Sequence, residues 1–178
     1  MKHLIYSLFA DYKNQIIFLH IISAVIWVGG MIAMRFAAHQ SIQMIANVSE
    51  KIERTSQALK RLFTIVAPFV VILILTAVIM AVGYGFRDAA VDANGTVIND
   101  YAAYVYNIVH VKEAIWLIMS INFVAMVLRR NKAAKLIKNG DLIGAAAALK
   151  LIGKYMVPVN IALGVIAIYL GVFLRNAY

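Results

Sequence analysis

The chain has 178 residues, 63% of them hydrophobic and 14% charged, against about 25% charged in an ordinary soluble domain. A soluble globule of this size cannot hide so much apolar surface, which excludes disorder and argues against a nucleic-acid-binding domain in spite of the formal net charge of +9. There is no cysteine, which removes disulfides, iron–sulfur clusters, thiolate catalysis, Cys-ligated zinc and covalent haem attachment.

What remains is a single integral membrane domain over residues 1–178, all-α, with lipid as its first partner. In chain order, residues 1–14 predict a short interfacial helix. The apolar run there is broken by Asp11, Lys13 and Asn14, unlike a cleaved signal. Residues 16–38 form the first span, since about 20 apolar residues cross a bilayer. Residues 41–61 are basic, with Ile42, Ile45, Val48, Ile52 and Leu59 at roughly helical spacing, and predict an amphipathic inner-surface extension. The second span covers 62–84. An outer loop at 86–101 carries Asp88, Asp92, Asp100 and the turn pair Asn94-Gly95. The third span covers 105–128. A second basic amphipathic segment, 131–154, is broken by Asn139-Gly140-Asp141 into helix, turn and helix. The fourth span covers 155–174.

Basic residues set the orientation. Twelve of the seventeen Lys and Arg lie in or beside the two long connections, four lie on the other side, and Lys112 lies within a span. The positive-inside rule makes both connections cytoplasmic and both termini external. The expected location is the bacterial inner membrane, crossed four times.

A shift of 90 residues superposes His20 on His110, Pro68 on Pro158, and Ala58-Leu59-Lys60 on Ala148-Leu149-Lys150 without a gap. This predicts a four-helix bundle built from two parallel helical-hairpin repeats, about 12–85 and 102–175. An axis along the membrane normal would relate them, with a ligand site at their interface. The prolines fit the first turn of a helix or, farther in, a kink.

His20 lies four residues into span one and His110 five into span three, which places both ~6–8 Å below the outer edge. An ionisable residue inside a span is a functional hypothesis by default. Two imidazoles at one depth in a duplicated fold can share one metal, and with no thiolate available they suit haem iron or copper. A non-covalent haem b with His20 and His110 as axial ligands is the first expectation. Trp27, ~20° around the helix from His20, would flank a flat ligand. Glu113 shares a face with His110 and would orient its imidazole. Lys112 points away, either snorkelling to headgroups or holding a propionate or anionic substrate. Arg35 and His39 lie at the inner end of span one, where headgroup contact is the simpler role. Met31, Met34, Met119 and Met126 keep copper handling as a second expectation. Gly164 and Gly171 would permit a homodimer.

The run from His20 through Trp27 and Gly29-Gly30 to Arg35 and His39, followed by His110-Val111-Lys112, resembles the superfamily of copper-resistance protein D and the HemJ-type protoporphyrinogen IX oxidases. The resemblance covers residues 16–174. It implies an inner-membrane four-helix protein with haem b at His20 and His110, and its motif also takes in Trp27, Arg35 and Lys112. It also implies electron transfer linked to a porphyrin substrate or to quinone. The family's Leu-Pro-Arg is Ala33-Met34-Arg35 here, and its Asn-Glu-x-Pro before the last span is missing. Three functions therefore compete: a haem redox protein, a copper-handling membrane protein, and a structural or assembly factor.

Overall fold

The computed structural model describes residues 2–177. Its main elements are α1 (Lys2–Gln43), α2 (Val48–Gly83), the short α3 (Phe86–Ala90), α4 (Asp100–Lys138) and α5 (Leu142–Asn176). All but α3 are long and apolar enough to cross a membrane, so the four expected spans are present in a helical, multi-pass architecture. No strand occurs among the described residues; one bridge, Val91 to Val97, closes the loop between α3 and α4.

The amphipathic segments are helical extensions of the spans, because their apolar positions continue the helical period. Side-chain caps start the helices. Asn47 accepts from the Glu50 N–H at 3.1 Å, Asn99 from Ala102 at 2.9 Å and Asp141 from Gly144 at 2.8 Å. The 139–141 turn falls at the Asn-Gly-Asp break, with Gly140 at φ +80°, a conformation only glycine adopts without strain.

Residues 2–11 form a short helix, as expected, set off from the first span by non-helical backbone at Tyr12 (φ −123°, ψ 26°). This arm docks onto the end of α2 that carries Gly83 and Tyr84. Phe9 is buried edge-on against Tyr84, ring centroids 4.9 Å apart, in space that a side chain at Gly83 would fill. Met1 lies outside the described residues. The two prolines divide between the two expected settings, Pro158 in the first turn of the α-helical segment Val157–Asn176 and Pro68 farther in. Pro68 sits in the interior of α2. Pro158 comes directly after a π-helical turn, Ile152–Met156, which opens the helix where the ring would otherwise clash. Two more π turns, Val25–Gly29 and Met34–Ala38, interrupt α1.

α1 packs along α2 and α4 along α5; α2 meets α4, and the middle of α1 meets α5. The parallel helices α1 and α4 therefore face each other across the bundle, where Trp27 lies edge-on to Phe123 at 6.1 Å. Trp27, Met31, Val66 and Met126 form the closed centre. At one end Phe86 packs on Val105 and Val109, with Leu174 and Ala177 against them. Both described chain ends thus share an end of the bundle with the 84–99 connection, and the two basic turns occupy the other.

Candidate functional site

α1 presents His20, half-buried, to α2. Its Nδ1 lies 2.9 Å from Thr76 Oγ1. The Thr76 hydroxyl has one proton, and that proton is directed to the Ile72 and Leu73 carbonyls at 2.8 and 3.0 Å. Thr76 is therefore the acceptor and His20 Nδ1–H the donor. The lone pair of His20 sits on Nε2.

His110 reaches the same state by another route. Its Nδ1 is 3.0 Å from Glu113 Oε2, the contact expected from their spacing. An ionised carboxylate only accepts, so Nδ1 again carries the hydrogen and Nε2 the lone pair. The Tyr106 ring packs against the imidazole, centroids 4.4 Å apart. The two histidines differ in direction: His20 faces into the bundle, whereas the His110 side chain is 52% exposed. They share no hydrogen bond or ring contact among the described residues. At the offset of 90, Thr76 falls on Ile166 and Glu113 on Ser23, so each imidazole has a partner of its own kind.

Lys112 projects from α4 towards α5. Half-buried, it leans on α5, where a Cβ built at Gly171 would come within 3.1 Å of Nζ.

Trp27 lies within the first π turn and is only 1% exposed. Protein, not open space, surrounds the ring. Its Nε1–H and the buried Ser120 hydroxyl have no hydrogen-bond partner among the described residues, and Ser120 is one turn from the Phe123 that Trp27 touches. Nearby, Asn122 donates to Asn160 Oδ1 at 2.7 Å and to the Met156 carbonyl at 2.8 Å. Asn160 donates to the Met119 carbonyl at 3.3 Å. These bonds tie α4 to α5 inside the apolar layer.

Arg35 is fifteen residues from His20, ~22 Å along the helix, and lines a cavity at the opposite end with His39. The four methionines considered for copper are packed in the core. Gly164 and Gly171 face inward, against Val28 and Lys112, and serve packing within the bundle. Thr76 escapes a reading of the sequence; a threonine in an apolar run carries no signal until its partner, 56 residues away, is known.

No cluster of three or more His, Asp or Glu able to hold a metal occurs among the described residues. His20 faces into the bundle, while His110, with equivalent chemistry, points outward. Compared with family models, curated proteins and solved structures, the chain matches none.

Proposed function

We propose that the protein is an inner-membrane redox protein of the copper-resistance D and HemJ-type superfamily, carrying one haem b in the outer half of the bundle with His20 and His110 as axial ligands. One observation carries the reading: both imidazoles are held through Nδ1, by Thr76 and by Glu113, so that both offer Nε2. Metal-ligating histidines are commonly fixed in this way. Iron bound to two imidazoles takes four further donors, which a porphyrin would supply. Lys112, two residues from His110, would supply the ammonium for a propionate.

The tandem-hairpin repeat supports pairing His20 with His110. The charge distribution supports external termini and puts the site near the outer face. When bound, the haem supplies one-electron chemistry at its iron, and quinone or a porphyrinogen is the class of partner that exchanges those electrons. Seating both imidazoles on one iron requires α4 to turn so that His110 faces α1.

The test is the visible spectrum of the detergent-purified protein after haem-supplemented expression. The expected result is a low-spin b-type spectrum with sharp bands on reduction. His20→Ala and His110→Ala should each convert it to high spin or remove it. A high-spin wild type that loses its colour only in His20→Ala would assign ligation to His20 alone. A colourless protein would overturn the haem reading. The second reading, copper, rests on the same Nε2 donors and predicts copper in metal analysis of that colourless protein.

A further inference from the structure

At the end of the bundle opposite His20, α1, α2 and α5 enclose a cavity of about 420 Å³. Its floor is apolar: Met34, Ile52 and Val157 are all buried. Its rim is basic on all three helices. Arg35 and His39 come from α1, Lys51 from α2, and Lys150 and Lys154 from α5. No Asp or Glu lines it, and none of these basic groups is in a salt bridge among the described residues. Lys154 lies over the Tyr155 ring at 5.0 Å. The π turn Ile152–Met156 forms part of the wall, and within it Gly153 leaves open space.

Cations gathered around one cavity repel each other, and the arrangement is favourable only with an anion between them. A small hydrated anion would gain nothing from the buried apolar floor. The geometry points to a binding site for an acidic phospholipid of the basic-side leaflet. The phosphate would lie between Arg35, Lys51 and Lys150, and the first part of the acyl chains against Met34, Ile52 and Val157. Arginine and lysine meet phosphate through charge-assisted hydrogen bonds, and basic pockets between membrane helices take such head groups. The site lies far from His20 and stands independently of the haem reading.

The test uses the full chain in nanodiscs of phosphatidylcholine with and without phosphatidylglycerol, read by native mass spectrometry and by the thermal midpoint. One phosphatidylglycerol should stay bound through detergent exchange and raise the midpoint. In Lys51→Gln/Lys150→Gln its affinity should fall about fivefold for each charge removed. Lys135→Gln/Lys138→Gln, the same charge change outside the cavity, should keep the bound lipid. Lys51→Arg/Lys150→Arg should restore it, which separates binding from folding. Gly153→Val, with every charge kept, should also lose the lipid. Equal loss in the cavity and control pairs would overturn the site in favour of general surface charge. An equal midpoint rise from sn-glycerol 1-phosphate in phosphatidylcholine alone would overturn the lipid and assign the cavity to a soluble phosphate ester.

Discussion

Thr76 fixes what His20 can do. Remove its oxygen, and the imidazole loses the acceptor that keeps the hydrogen on Nδ1. Thr76→Val should therefore weaken haem retention by about 10–100-fold, the usual cost of losing such a supporting bond. Thr76→Ser should recover most of it. Titration of the apoprotein with haem measures both, and equal affinity for Thr76→Val and wild type would refute the role given to Thr76. At this scale the sequence is legible only where contacts are local. The His110–Glu113 bond comes from a spacing of three on one helix. The His20–Thr76 bond joins two helices and needs their relative rotation. For Lys112 the sequence shows the direction of one helix and not the space beside it. The absence of a side chain at Gly171 gives the ammonium a place inside.

Helix packing explains the small residues. A Cβ built at Gly164 would lie 2.5 Å from Val28 Cγ2 and 3.4 Å from Met119 Cε, so α1, α4 and α5 meet there. Gly164→Ala should force α5 outward and cost about 1–3 kcal/mol, as overpacking does, read as a lower thermal midpoint. Gly29→Ala, with nothing within 4 Å, should leave the midpoint almost unchanged. The N-terminal arm makes a different kind of contact. Lys2 Nζ and the Tyr6 hydroxyl each donate to Asp88 at 2.7 Å, and these two bonds, Lys2 first, hold the Asp88 carboxyl below its ordinary value of 3.8. A carboxyl lowered by folding stabilises the docked arm above the ordinary value, and that contribution is lost as pH falls through the lower folded value. Hydrogen exchange over residues 2–11, corrected for intrinsic rates, should stay constant from pH 7 to about 5 and accelerate below about 4. Asp88→Asn should show the fast exchange at pH 7. Helix existence is legible from apolar length, and the 139–141 turn from Asn-Gly-Asp. The π turns and the docking of the arm are not, because both depend on neighbouring helices.

Across the whole molecule, both described chain ends and the 84–99 connection share one end, and the two basic turns share the other. The positive-inside rule predicts that the basic end faces the cytoplasm. A reporter active only outside the cytoplasm, fused after residue 178, should be active, and a cytoplasm-only reporter silent. The reverse would move the His20 level to the inner leaflet. The number of spans is legible because hydropathy alone fixes it. The rotation of each helix is not, since every face of a membrane helix is apolar and the period that marks a buried face in water is weak. The offset of 90 locates His20 and His110 on parallel helices, but it says nothing about which way each imidazole points.

The π turns of α1 bear on its length. Each holds one more residue than an α turn would. Deleting one residue within Val25–Gly29 would let that turn close as an ordinary α turn, and both flanks would keep their faces, His20 towards Thr76 and Met31 in the core. A deletion within Met34–Ala38 would likewise leave His39 and Arg35 on their present faces. One residue removed from the α-helical stretch between His20 and Val25 would instead turn His20 by about 100° away from Thr76. The two π turns are thus the places where α1 can shed a residue and still present the same sides to its neighbours.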